Sequence, residues 1–221
     1  MDELTLVRHL ARIFNKKGFL VKTEIGAGYG IADLVLVKLD KAKCKVRQNN
    51  NQVHPLLKES YFAVLKHLPD EDASSKPLDY LSLLKKTHLS DHFLKYHVLK
   101  TLKSCGYVKE VDGNMFFKVN GWVPLTKEVI AIEAKLHDWR RGFIQANRYK
   151  AFADKAYLAI PECYLHRVNR ELLMSQNIGL IALSDSRKTI KEEIKPSKNN
   201  LFIDDKRNYV AEHYLRNALA Y

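Results

Sequence analysis

Glu128-Val-Ile-Ala-Ile-Glu-Ala-Lys-Leu136 reads as a β-strand that carries charge in its apolar run. Side chains alternate faces along a strand, so Glu133 and Lys135 share one face while Ile132 and Ala134 point to the other. A second strand-like run, Ile31-Ala-Asp-Leu-Val-Leu-Val37, places Asp33 among apolar residues 100 positions before Glu133. Charges in apolar strands are costly unless they are paired or coordinate something. Asp33 and Glu133 are therefore candidate ligands for a divalent metal, which needs convergent oxygen donors. Ala134 would add its backbone carbonyl, and Lys135 could position or activate water.

Composition sets the bounds. The chain has 221 residues, of which 46% are hydrophobic, enough for a packed core in one large domain or two small ones. Its formal net charge of +12 favours a polyanionic partner, nucleic acid first among them. Cys44, Cys105 and Cys163 are far apart and odd in number, which predicts neither a disulfide framework nor a metal site and fits a reducing cytoplasm. His88, His92 and His97 lack zinc-site spacing. The chain starts directly on helical periodicity without a signal pattern, and no apolar run reaches the length of a membrane span.

Leu4, Val7, Leu10, Ala11 and Phe14 predict a first helix, capped by Asp2 and ended at Gly18. Strands at Phe19–Ile25 and Ile31–Leu39 flank Gly26, Gly28 and Gly30 as a hairpin. The basic, asparagine-rich stretch from Lys41 to Asn51 reads as a linker. From Pro55 to Trp122 the pattern changes. Helices are expected at Leu56–Leu68, Leu78–Lys86 and from Ser90 to about Ser104, and then a hairpin turns at Asp112-Gly113-Asn114. After Pro124 come a strand at Glu128–Leu136, a helix at Arg141–Ala156 and a strand at Tyr157–Ile160. A helix at Arg167–Ser175 and a strand at Ile178–Leu183 follow. That alternation implies parallel pairing with helices on the sheet faces. Ser184 onward is polar, with a helix expected at Tyr209–Leu219.

The D…E-x-K spacing of Asp33, Glu133, Ala134 and Lys135 resembles the active site of the PD-(D/E)XK nuclease superfamily. Removing residues 41–125 leaves helix, strand, strand, strand, helix, strand, the core order of that superfamily, which includes archaeal Holliday-junction resolvases and recombination nuclease domains. Three helices followed by a hairpin resemble a winged helix-turn-helix domain, and Leu99-Lys-Thr-Leu-Lys-Ser-Cys-Gly-Tyr-Val108 carries that likeness most closely. The resemblances imply an α/β fold with a restriction-endonuclease-like core, a central mixed sheet flanked by helices, and an inserted winged-helix domain. The core would span 1–40 plus 126–184, the insertion 55–122, and a tail 185–221.

The resemblance also implies site roles. Asp33 and Glu133 would ligate Mg²⁺ or Mn²⁺ with the Ala134 carbonyl, and Lys135 would orient water or stabilise developing charge. Gln145 and Tyr149, one helical turn apart, resemble the Gln-x-x-x-Tyr pair that follows E-x-K in the nuclease domains of bacterial recombination helicase-nucleases; Tyr149 also lies on an apolar stripe and reads equally well as core. Glu3 or Glu24 could supply a further carboxylate, although Glu3 stands farther from the first strand than the resolvase pattern has it. Trp139, Arg140, Arg141 and Arg148 follow the E-x-K strand and would contact DNA. In the insertion, Lys95, Lys100 and Lys103 would lie on a recognition helix and Lys109 and Lys118 near the wing.

Two functions stay open. One is a metal-dependent DNA endonuclease, in which one site per chain would call for a homodimer to cut both strands. The other is a non-catalytic DNA-binding or regulatory protein built on a nuclease-like scaffold.

Overall fold

The structure is a computed structural model and describes residues 2–28, 30–72, 74–119, 123–184 and 186–218. The expected end of the insertion at Trp122 and of the last helix at Leu219 lie outside them.

Helix α1 (Glu3–Lys16) starts where the Asp2 carboxylate accepts the Thr5 N–H, as an N-cap does. Strands β1 (Leu20–Gly26) and β2 (Ile31–Leu39) pair as an antiparallel hairpin, Leu20 opposite Val37. Helices α2 (Lys41–Asn49) and α3 (Glu59–Leu65) follow, then the short β3 (Leu78–Asp79) and α4 (Tyr80–Thr87). Helix α5 (Asp91–Phe93) runs through a π turn, Leu94–Leu99, into α6 (Lys100–Ser104). Strands β4 (Val108–Val111) and β5 (Met115–Lys118) form the next hairpin. Then come β6 (Thr126–Ala134), α7 (Trp139–Tyr149), β7 (Lys155–Pro161), α8 (Arg170–Ser175), β8 (Gly179–Ser184) and β9 (Thr189–Ile194). Helices α9 (Asp204–Glu212) and α10 (Leu215–Ala218) close the described chain.

The chain divides into two compact units, one of residues 1–39 with 126–210 and one of 40–125 with 211–221. The first is a mixed α/β unit whose six-stranded sheet runs β1-β2-β6-β7-β8-β9. Strands β6, β7 and β8 run parallel to one another, and β1, β2 and β9 are antiparallel to their neighbours. Leu6, Leu10 and Phe14 of α1 pack on Leu34, Leu36, Ile132, Ala134 and Ala159. Strand alternation sends Glu133 to the opposite face, where α7 lies against β6 and β7. In the second unit, β3, β5 and β4 form a three-stranded sheet beside the helices.

Several elements differ from the sequence reading. Residues 41–49 are a helix and not a linker, because Asp40 caps the Ala42 and Lys43 N–H groups and Cys44 and Arg47 are buried. Arg47 lies against the fully buried carboxylate of Glu212, at 3.0 Å, and bonds the Tyr107 hydroxyl. The helix expected to Ala156 stops at Tyr149, since Phe152 and Ala153 turn back to the Tyr149 carbonyl and Asp154 joins β6 through Val129. The expected tail is no separate part. Residues 189–194 are the sixth strand, and Arg207, 2.8 Å from buried Asp154, ties the following segment to the same unit.

Candidate functional site

Strand pairing brings Asp33 and Glu133 to one end of the sheet. Leu34 pairs with Ile132 across β2 and β6, and one Asp33 oxygen accepts the Ala134 N–H at 2.8 Å. Glu133 is fully buried, Lys135 largely so and Asp33 half-buried. The Lys135 ammonium lies 2.7 Å from Glu133 Oε1 and 3.8 Å from Asp33 Oδ2. It also lies 3.7 Å from Glu3 Oε2 and donates to the Ala134 carbonyl at 3.3 Å. Glu3 is fixed there because its other oxygen accepts the Leu136 N–H at 3.3 Å.

One cation thus sits among three carboxylates and a carbonyl. Burial pushes the Glu133 carboxyl above its ordinary range, while Lys135 and Tyr149 pull it back. Burial alone would lower Lys135, but Glu133, Asp33 and Glu3 outweigh it and hold the ammonium above its usual value. The Tyr149 hydroxyl is 2.5 Å from Glu133 Oε2 and 2.8 Å from the Ile31 carbonyl oxygen, so its single proton bridges two acceptors. Burial first, and Glu133 second, raise the Tyr149 pKa, which keeps the hydroxyl a donor.

Gly142 of α7 packs directly against Lys135. A β-carbon there would lie 2.8 Å from Lys135 Cγ and 2.6 Å from Leu158 Cδ1, closer than real contacts allow. Sequence reading passed over Gly142, although a glycine inside an amphipathic helix costs about 1 kcal/mol against alanine and so asks for a reason.

Gln145 is half-buried one turn before Tyr149, its Oε1 shut from water without a hydrogen-bond partner. Glu24 is exposed and makes no ion pair among the described residues. Trp139 is half-buried at the start of α7, with the Arg140 guanidinium 5.5 Å from its ring, and Arg140, Arg141 and Arg148 are exposed. In the second unit Lys95 and Lys100 are exposed without an ion pair among the described residues. Lys103, Lys109 and Lys118 are neutralised locally by Glu110, Glu71 and Asp70 at 2.5, 2.5 and 3.1 Å.

The donors gathered by Asp33, Glu133 and the Ala134 carbonyl are all oxygen, the chemistry of Mg²⁺ or Mn²⁺, and Mg²⁺ commonly uses only one or two carboxylates. Among the described residues no group of three or more His, Cys, Asp or Glu side chains forms a metal-holding set. A cavity of about 240 Å³ lined by Phe14, Phe19, Lys38, Glu128, Tyr157 and Glu192 lies toward the other end of β6. There Glu128 already pairs with Lys155 at 2.8 Å and Lys38 at 3.8 Å.

No family model, no curated protein and no solved structure matches the chain. No helix among the described residues is long and apolar enough to cross a membrane.

Proposed function

We propose that the protein is a metal-dependent DNA endonuclease whose first unit is a restriction-endonuclease-like core of the PD-(D/E)XK type and whose second is a winged helix-turn-helix module. The observation that carries this reading is the convergence of Asp33, Glu133 and the Ala134 carbonyl on Lys135 at one strand end. Burying Glu133 costs stability unless its partners serve a purpose, and a bare scaffold has no need of it. The order helix, hairpin, strand, helix, strand in the first unit supports the core assignment. Helices followed by a hairpin, in a three-stranded sheet, support the winged-helix assignment.

Asp33 and Glu133 would hold the cation together with the Ala134 carbonyl. Bound there, a divalent cation supplies charge neutralisation at the phosphate and a more acidic water. Lys135, presented between the carboxylates, would donate to the attacking water or to a phosphate oxygen. Tyr149 holds the Glu133 carboxylate in one orientation through its hydroxyl. Arg140, Arg141 and Arg148 on α7 would contact phosphates, which fixes register without reading sequence.

The Lys135 ammonium, 2.7 Å from Glu133 Oε1 and 3.8 Å from Asp33 Oδ2, already neutralises the two carboxylates, and this supports a second reading, a non-catalytic DNA-binding protein on the same scaffold. Incubation with supercoiled, linear and branched DNA in Mg²⁺ or Mn²⁺ separates the two. The nuclease reading expects cleavage that stops in EDTA; DNA binding without cleavage under either metal supports the scaffold reading.

A further inference from the structure

The helical stretch 91–104 of the second unit carries an exposed surface of rings that Lys135 and its neighbours do not use. His92, Lys95, Tyr96, His97 and Lys100 are all exposed, Tyr96 by 52%. Residues three and four apart share a face of an α-helix. The π turn Leu94–Leu99, closed by i→i+5 hydrogen bonds, brings the fifth residue round as well. His92 accordingly stands 5.0 Å from Tyr96 and 5.4 Å from His97, centroid to centroid. Phe93, half-buried, stacks under His97 at 5.6 Å and braces it. Leu94, Val98 and Leu99 are buried beneath, so the rings have a firm base.

The surrounding charge is basic. Lys95 lies 5.5 Å from the Tyr96 ring centre, and neither Lys95 nor Lys100 has an ion-pair partner among the described residues. Of the acidic side chains nearby, Asp91 accepts the Tyr80 hydroxyl at 2.9 Å, and Glu110, which also feels Lys95, is paired with Lys103 at 2.5 Å. Base edges in a major groove are read mostly by Arg or Lys, by Asn or Gln, and by Ser or Thr. Residues 90–104 contain no Arg, Asn or Gln, Lys103 is held by Glu110, and the Thr101 hydroxyl donates to the His97 carbonyl at 2.8 Å. Exposed rings interleaved with unpaired lysines instead suit unpaired bases, which stack on aromatic faces while the backbone meets the cations.

We propose that this face binds a single-stranded DNA segment, with bases stacking on Tyr96 and His97 and phosphates meeting Lys95 and Lys100. The inference rests on the DNA reading above and adds the substrate class: DNA with an unpaired or splayed strand. Histidine and tyrosine rings do not depend on metal, so binding is measurable apart from cleavage.

The test is fluorescence anisotropy of the full chain in EDTA with a labelled 20-nucleotide strand, the same sequence as duplex, and a splayed fork. The expected order is single strand and fork tighter than duplex. Tyr96→Ala weakens single-strand binding at least about fivefold, as loss of one stacked base does, and Tyr96→Phe restores it. Circular dichroism of each variant confirms the fold, which an exposed position leaves intact. Duplex binding equal to or tighter than single-strand binding overturns the proposal, as does unchanged binding by Tyr96→Ala or no binding to either DNA. Single-strand binding that survives without any cleavage in Mg²⁺ leaves this proposal standing and removes the nuclease reading alone. Cleavage with duplex preference does the reverse.

Discussion

Gly142 lies so close to Lys135 that a β-carbon on it would come within 2.8 Å of Lys135 Cγ. The neighbouring Leu158 Cδ1 would be closer still, at 2.6 Å. Gly142→Ala gains about 1 kcal/mol of helix propensity but overpacks a filled space, which costs about 1–3 kcal/mol. The net effect expected is a modest loss of thermal stability, with the lysine displaced from its carboxylates. Thermal unfolding beside a cleavage assay checks this: activity should fall by a larger factor than stability explains. Unchanged activity would remove Gly142 from the positioning of Lys135.

Tyr149→Phe takes the hydroxyl away from the Glu133 oxygen it meets at 2.5 Å. Leaving a buried acceptor short of a donor costs about 1–3 kcal/mol. For a chain of this size each kcal/mol lowers Tm by about 2–4 °C. Calorimetry reads that shift, and cleavage should drop with it because Glu133 loses its fixed orientation. Tyr149→Phe with wild-type Tm and activity would make Tyr149 simple core.

Arg47 and Glu212 form an ion pair that is wholly buried in the second unit. Arg47→Met leaves a lone buried carboxylate and should cost about 3–5 kcal/mol, much of it returned in Arg47→Met with Glu212→Leu. Burial raises the Glu212 pKa and Arg47 opposes that rise. Without Arg47 the folded state holds the proton still more tightly than the unfolded chain, whose glutamate titrates near about 4.3. The Glu212 contribution to the single variant's stability is then fullest below that pH and is lost as pH rises toward the folded pKa. Urea denaturation of the variant and the wild type at acid and neutral pH reads this as a difference; a deficit against wild type that is larger at acid pH contradicts it.

Arg207→Leu tests whether the segment after β9 belongs to the first unit. Arg207 lies 2.8 Å from the buried Asp154 carboxylate, which also accepts the Val129 N–H at 2.7 Å and has the exposed Lys198 ammonium at 3.9 Å. Removing the guanidinium should destabilise the unit by about 3 kcal/mol and expose residues 195–203 to protease. Limited proteolysis with mass spectrometry maps the cut, and an unchanged pattern would detach the segment from the fold.

Much of the first unit was legible because apolar alternation and helical spacing are local signals. Ile31–Leu39 matches β2 residue for residue, and α1 is capped by Asp2 as its sequence predicts. What stayed hidden depends on distant partners. Lys41–Asn49 looked like linker because its helix is held by Asp40 and by Arg47 reaching Glu212 across 165 positions. The strand Thr189–Ile194 is largely exposed at a sheet edge and carries little apolar pattern. The helix after β6 was read too long because Ala153 and Ala156 continue the helical spacing of Phe143, Ala146 and Tyr149, which Asp154 breaks by joining Val129. At the site, Asp33, Glu133 and Lys135 could be named from charge in apolar strands and Tyr149 from a resemblance to a Gln-x-x-x-Tyr pair, and the structure brings them together. Glu3 gains weight only from folding, which sets its carboxylate 3.7 Å from Lys135. The wing lysines lose weight by the same route, since Glu71 and Asp70 neutralise Lys109 and Lys118.

The central claim is that the cluster around Lys135 cuts DNA, and Lys135→Ala measures it most directly. Cleavage of supercoiled plasmid in Mg²⁺ by this variant, confirmed folded, should fall by about 10²–10³ relative to wild type, the usual loss when one charge-stabilising donor is removed. Cleavage by Lys135→Ala at the wild-type rate, or no cleavage by wild type under any divalent metal, would contradict the account.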